Sequence, residues 1–181
     1  MSIATVPDSI PKPLRLDLEQ IFREHSSMIY RAAYAITGNR QDADDVLQTV
    51  FLKLIKREYP PDLQANPKAY LHRAAVNLSL DVIRKRRRYP APVDLEDLEV
   101  AVSDVETKEA ERDDVPLNDI LSKLDPQAVD ILVLRYVHDY SDSEISKMLG
   151  TSRGAIALRL FRLRARIKRL LGQVRGQHHE T

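Results

Sequence analysis

A chain of 181 residues has room for one ordinary domain or two small ones. With 30% charged and 6% aromatic residues, ten Pro and five Gly, it reads as a soluble helical protein and carries no β-rich signature. The absence of cysteine excludes disulfides, thiolate metal sites and a cysteine nucleophile, and fits a reducing compartment. No apolar run approaches the roughly 18 residues that span a bilayer, and no charged segment followed by an apolar one opens the chain. Neither export nor direct membrane insertion is therefore expected, and a cytoplasmic location is.

The net charge of +1 conceals an uneven distribution. Residues 1–88 hold 15 Lys and Arg against 10 Asp and Glu, residues 89–118 hold 2 against 10, and residues 119–181 hold 11 against 7. Two basic blocks flank an acidic one. That pattern predicts nucleic-acid contact at both ends, joined by a segment that DNA repels.

Residues 1–13 contain three prolines and no period, and are read as a loose tail. From Leu14, the residues Leu18, Ile21, Phe22, Ile29, Ala32, Ala33 and Ile36 fall on one helical face, and Thr37, Gly38 and Asn39 close that helix. A second helix is predicted over 42–56, with Asp42, Asp44 and Asp45 in the first turn where the helix dipole favours them, and Lys53 and Lys56 late. Its buried face is Ala43, Val46, Leu47, Val50, Phe51 and Leu54. Residues 59–64 hold Pro60 and Pro61 side by side and are read as a loop. Asn66 then caps a third long helix, with Pro67 at its first position and Leu71, Ala75, Leu78 and Val82 as its apolar stripe. It ends in five consecutive cations, Arg84, Lys85, Arg86, Arg87 and Arg88, more than a helix end needs.

Residues 89–118 carry three prolines and ten acids and read as a linker, with a transient helix near 103–113. Asp125 caps and Pro126 opens a helix in which Val129, Leu132, Val133 and Tyr136 pack inward, and residues 138–140 turn the chain. Ser141 with Glu144 three residues on is a capping box that starts a short helix ending at Leu149. Gly150 suits the left-handed position after it, and Thr151 or Ser152 caps the next helix at once. A short capped helix, a tight glycine turn and a long helix form a helix-turn-helix. The long helix packs through Ile156, Leu160, Leu163, Ile167 and Leu170. On its flank Arg159, Arg162, Arg166 and Arg169 form a stripe suited to a phosphate backbone or groove edge. Residues 173–181, with His178 and His179, are read as a flexible tail. The predicted fold is all-α: two small helical domains, 14–88 and 119–172, joined by the acidic linker 89–118.

The segment 42–56 resembles the helix with which small alternative sigma factors grip RNA polymerase. Residues 69–88 resemble their promoter-melting helix, with an aromatic-Leu pair at Tyr70 and Leu71, then Asn77, Asp81 and the trailing Arg cluster. The segment LDPQAVDILVLRYVHDYSDSEISKMLG resembles the start of their last domain. Over residues 18–88 and 121–171 the chain is thus similar to the extracytoplasmic-function (ECF) group of the sigma-70 family. The resemblance implies core RNA polymerase as partner, through the clamp of its β′ subunit and the flap of its β subunit, together with promoter DNA and an anti-sigma factor, and no cofactor, metal or catalytic residue. It assigns polymerase binding to Asp42, Asp45, Gln48, Phe51 and Leu52, an exposed mixed surface with an aromatic anchor. It assigns the melted −10 element to Lys68, Asn77, Asp81, Arg84, Arg87 and Arg88, with residues 64–68 as a base-capturing loop. The duplex −35 element falls to Ser152, Arg153, Arg159, Arg162 and Arg166. By the same resemblance the acidic linker passes through the polymerase's active-site cleft and RNA exit channel.

Several readings stay open at this level. Asn77 suits either a base edge or a buried structural amide. The family often has Val-Lys-Ser-Arg where this chain has Ile156, Ala157, Leu158 and Arg159, so a cation and a hydroxyl give way to apolar groups. Leu158 and Phe161 then point away from the packing stripe, toward thymine methyls or toward a surface covered by an anti-sigma partner. Two rival functions are a helix-turn-helix regulator acting without polymerase, and a helical enzyme using Asp42, Asp44 and Asp45 with His25 or His72. The first leaves the 42–56 and 69–88 motifs without a role; the second lacks a phosphate loop, a nucleophile motif or metal-ligand spacing.

Overall fold

The computed structural model describes residues 12–56, 61–88 and 117–177. Among them every regular element is a helix: α1 (Lys12–Thr37), α2 (Arg40–Lys56), α3 (Pro61–Ala65), α4 (Pro67–Arg88), α5 (Leu117–Ser122), α6 (Pro126–Tyr136), α7 (Asp142–Leu149) and α8 (Arg153–Gln177). None is long and apolar enough to cross a membrane.

The helix ends follow from local chemistry. Gly38 leaves α1 with φ +66°, its N–H bonding back to the Tyr34 carbonyl at 2.8 Å. Asn39 accepts from the Asp42 N–H at 3.1 Å and so caps α2. Asn66 caps α4 by accepting from the Ala69 N–H at 3.1 Å, with Pro67 at the first position. Asp125 accepts from the Ala128 N–H at 2.8 Å ahead of Pro126. At α7 the capping box is complete: Ser141 accepts from the Glu144 N–H at 3.3 Å and donates its own N–H to the Glu144 carboxylate at 2.8 Å. Gly150 closes α7 at φ +63° and Ser152 opens α8 by accepting from the Ala155 N–H at 3.2 Å, which leaves three residues, Gly150 to Ser152, between the helices of the helix-turn-helix.

In the first domain α1, α2 and α4 pack around Ile29, Ala33, Ile36, Val46, Val50 and Leu71. In the second, α5 to α8 close over Leu124, Val129, Leu134, Ile145, Ile156 and Leu160. The two cores are continuous. The join is made by α6, whose residues Ala128 to Leu134 are buried without interruption because α4 lies on one side and the helix-turn-helix on the other. On α4 the matching side is His72, Val76, Ser79 and Leu80, all buried beside the expected Leu71 and Ala75.

Polar contacts seal the same interface. His72 Nδ1 lies 2.6 Å from Asp130 Oδ1, and since a carboxylate only accepts, the ring nitrogen carries the proton. The Arg84 guanidinium donates to the carbonyls of Ser122 (3.2 Å) and Leu124 (2.9 Å), and Arg87 to the Ser122 hydroxyl (3.0 Å). Asn66 reaches the Met148 carbonyl at 3.2 Å, Arg31 the Val137 carbonyl at 2.5 Å, and Asn118 the Thr37 carbonyl at 3.1 Å. The His72 and His138 rings meet edge-on, with centroids 5.2 Å apart.

Four sequence expectations are corrected. Residues 61–64, read as loop, form α3: Pro61 stands at the first helical position, where its missing N–H costs nothing, and Leu63 fills the core. Leu117 and Asn118, assigned to the linker, open α5, held to the first domain through the Asn118 side chain. The last helix runs to Gln177 rather than ending near 172, and α1 begins at Lys12. Phe22 and Tyr136, expected inside, are largely exposed. The expected helix at 103–113 and the histidines 178 and 179 lie outside the described residues.

Two predictions follow from this interface. Asp130→Ala strands the buried Nδ1–H of His72, and should lower the unfolding free energy in urea by about 1–3 kcal/mol, with Asp130→Asn, which keeps an acceptor, losing less. The second concerns pH. Burial first, then the charges of His72, Arg31 and Lys68, lower the His138 pKa from 6.5 to about 4, against an opposing pull from Asp139. A depressed histidine pKa means the unfolded chain binds more protons, so stability is full above about pH 6.5 and is lost as pH falls toward 4. His25, whose pKa burial also lowers, adds in the same direction. The urea midpoint should drop between pH 7 and 5, less steeply in His138→Gln and least in the His25→Gln, His138→Gln double variant.

Candidate nucleic-acid interface

The residues singled out on α2 divide between core and surface. Asp45, Gln48, Leu52 and Ile55 follow one another at helical spacing and are exposed, Leu52 to 51%, making a face of one acid, one amide and two aliphatic groups. Phe51 does not belong to it: it is 9% exposed and packs edge-on against Phe22, centroids 4.7 Å apart. The expected aromatic anchor is thus a core residue, and Ile55, which was not singled out, supplies the second apolar group of the face. Asp42 stands slightly apart, half-buried and ion-paired with Arg86 at the end of α4.

On α4, Asn77 and Asp81 are exposed one helical turn apart, which removes the reading of Asn77 as a buried amide. Arg73, one turn earlier on the same face, is exposed as well and extends this strip; it lay outside the motif and was overlooked. Lys85, Arg86, Arg87 and Arg88 are exposed at the helix end. The cations differ in what they already hold. Arg84 and Arg87 are turned onto the carbonyls and hydroxyl at the end of α5, whereas Arg88 stands in solvent. Lys68, at the start of α4, places its ammonium 4.4 Å from the centre of the Tyr140 ring in the second domain, a cation–π contact.

The helix α8 carries six Arg and one Lys between residues 153 and 169 and no acid anywhere along its length. Arg153, Arg159 and Arg162 are exposed. Arg166 is engaged inside the domain, donating to the Lys123 carbonyl at 3.1 Å and lying 3.5 Å from the Asp125 carboxylate. Ser152 has its hydroxyl committed to capping. On the far side Arg164 donates to the Tyr136 hydroxyl at 2.9 Å. Glu144 is the acid nearest the turn in sequence; the Ser141 hydroxyl and N–H hold its carboxyl below the usual range, so it is ionised and fixed by its cap.

One residue of each candidate DNA-reading surface, Asn77 on α4 and Arg159 on α8, lines a shared cleft. A cleft of about 620 Å³ between the domains is lined by Arg73 and Asn77 from α4, Asp130 from α6, and Gly150, Thr151 and Arg159 from the helix-turn-helix. A second, apolar groove of about 420 Å³ runs where Ala35 of α1 meets the second domain, lined by Leu117, Ile120, Leu132 and Ile167 together with Arg164 and Lys168. The carboxylates considered for catalysis do not form a constellation. Asp42 is tied to Arg86 while Asp44 and Asp45 face solvent, His72 is wholly buried against Asp130, and among the described residues no three His, Asp or Glu gather as a metal site.

Residues 21–89 match the family model for sigma-70 region 2, and residues 115–167 the model for sigma-70 region 4. The ECF RNA polymerase sigma factor SigM of Mycobacterium tuberculosis is 30% identical over 160 residues, covering 87% of this chain and 79% of that protein. The ECF sigma factor SigE of Mycolicibacterium smegmatis is 29% identical over 161 residues, covering 86% of this chain, which spans 62% of that relative's length. Among solved structures, CnrH in complex with the cytosolic domain of CnrY aligns at a TM-score of 0.48 and 25% identity, over 88% of this chain and 90% of that one. Two region models in order, with a relative of that identity matched over most of its length, make this chain a member of the sigma-70 family, in its ECF group.

Proposed function

We propose that this alternative sigma factor binds core RNA polymerase, melts and reads a −10 element with α4, and reads a −35 element in duplex DNA with α8. One observation carries the reading: the two domains present separate polar and cationic surfaces, Asn77, Asp81 and Arg88 on one and the acid-free α8 on the other. A melted strand needs hydrogen-bonding groups for an exposed base edge and cations for its backbone, and the α4 strip offers both. A duplex needs a helix whose first turns reach the major groove, and α8 opens directly from a capped turn. For the polymerase, the Asp45, Gln48, Leu52 and Ile55 face suits the β′ clamp. The apolar groove with its Arg164 and Lys168 rim suits the β flap. An anti-sigma factor would act by covering these surfaces. The protein works by binding rather than catalysis, in the cytoplasm beside its polymerase.

The closed arrangement sets a condition on that function. Asn77 of α4 and Arg159 of α8 line one cleft of about 620 Å³, whereas Arg153, Leu158, Phe161 and Arg162 are exposed outside it. We infer that DNA reaching Asn77 and Arg159 together parts the domains, releasing Arg84, Arg87 and Lys68 from their partners in the second domain.

Run-off transcription with bacterial core polymerase on a library of upstream sequences tests the reading. Transcripts that share a two-part motif and depend on this protein are the expected result; selective duplex binding without transcription would favour a regulator that needs no polymerase. Asp45→Arg with Leu52→Ala should weaken polymerase binding by at least about tenfold, about 1.4 kcal/mol, and leave duplex binding intact. Arg88→Ala should weaken promoter binding about equally across sequences and lower its salt slope by about 1. The requirement for opening is tested separately. Because the chain has no cysteine, Asn66→Cys with Met148→Cys gives a unique pair for a short cleavable cross-linker. The linked protein should lose transcription at least about tenfold and recover it on cleavage.

A further inference from the structure

The helix α8 has two apolar sides. Ile156, Leu160 and Leu163 are buried in the domain. Half a turn away, at the spacing that keeps them on one face, stand Gly154, Leu158, Phe161 and Ala165. Leu158 is 48% exposed and Phe161 70% exposed, and both sit among the exposed large hydrophobic side chains of the protein. An exposed phenylalanine two turns into a recognition helix carries a cost in water and gives the fold nothing in return.

The charges beside this stripe identify what it meets. Arg159, Arg162 and Arg169 run along one flank and Lys168 along the other, with Arg166 and Arg164 turned onto Lys123, Asp125 and Tyr136, and no acid of α8 interrupts either flank. An apolar line between two cationic flanks is the complement of a major groove, where base edges lie between two phosphate walls. Gly154 points the same way. A Cβ there would meet nothing within 4 Å, so packing within the fold does not require glycine at this position. Close approach of the backbone to a ligand is a reason to keep it.

Within a major groove the apolar feature of the bases is the C5-methyl group of thymine. We propose that Leu158 and Phe161 are specificity-determining residues that select thymine in the duplex element by packing on C5-methyl groups, with the flanking Arg side chains holding the phosphates. This rests on the reading that α8 enters the major groove. It differs from readout by guanidinium groups, because the polar reading side chains are displaced to the flanks and the centre of the helix is left to a methyl-reading pair.

The test uses the full chain with core polymerase. Duplexes selected from a random library are prepared again with each thymine of the duplex element replaced by deoxyuridine, which removes the methyl group and nothing else. Each effective replacement should weaken binding about fourfold, from about 0.8 kcal/mol for a buried methyl-sized group. The Leu158→Ser, Phe161→Ser variant should bind the thymine duplex more weakly and respond to uracil less than twofold. Arg162→Ala should bind more weakly yet keep the uracil response, which separates methyl reading from loss of phosphate contact. Phe161→Leu, which keeps an apolar surface, should retain part of the response. Circular dichroism checks that each exposed-site variant remains folded. If the wild-type protein binds uracil and thymine duplexes alike, the proposal fails while duplex recognition by α8 stands. If no duplex is selected at all, the groove reading fails and takes the proposal with it. If the double variant keeps duplex affinity and uracil response but loses binding to an acidic amphipathic peptide, the stripe is a protein-docking face and the proposal is overturned.

Discussion

A single carboxylate in the middle of an otherwise apolar helix governs how this molecule is put together. Asp130 lies in the run Ala128 to Leu134, every residue of which is buried. A charge there requires a partner, because removing it from water costs several kcal/mol unless hydrogen bonds restore what solvation supplied. That partner comes from the other domain, as the Nδ1–H of His72 at 2.6 Å. The pair joins the buried middle of α6 to the buried side of α4. The Arg84 bonds to Ser122 and Leu124, the Arg31 bond to Val137 and the Asn66 bond to Met148 then fall into line around it.

Local features of this fold were legible in the residues, and long-range ones were not. The capping box at Ser141, the left-handed Gly150, the caps at Asn66 and Asp125 and the stripe through Ile156, Leu160 and Leu163 depend on groups within a few positions of one another, so the chain displays them directly. The docking of the domains joins residues as far apart as Asn66 and Met148, 82 positions along the chain. No periodicity records such a contact. Its trace is the unbroken burial of α6, and a continuous apolar run does not say which neighbours cover it. The adjacent prolines at 60 and 61 misled for a related reason: a proline that breaks a helix interior is at ease at a helix start, and the choice is made by Leu63 finding the core.

The candidate site was legible as chemistry and less so as disposition. Residue types on α4 and α8 named the ligand class, yet type alone does not distinguish a cation facing solvent from one already satisfied. Arg84, Arg87 and Arg166 are bonded to oxygens at the ends of α5 and in the turn after it, while Arg73, outside every motif, lies open beside Asn77. Phe51 shows the same limit in reverse. Its place in the motif suggested a contact surface, its helical phase suggested the core, and packing against Phe22 decided for the core.

The ion pair between Asp42 and Arg86 joins the start of α2 to the end of α4, and so ties an acid on the helix proposed for polymerase binding to a cation on the helix proposed for DNA binding. Each holds the other's charge. A ligand that takes either partner exposes the other, and thermodynamic reciprocity then requires the two ligands to raise one another's affinity by the same factor. With Arg86 47% exposed, the pair is screened, and the coupling it transmits is at most about 1 kcal/mol, several-fold in affinity. Small as that is, it makes the two proposed ligands of the first domain favour one another whichever binds first. The protein would grip DNA more firmly when Asp42 is already occupied than when it is free.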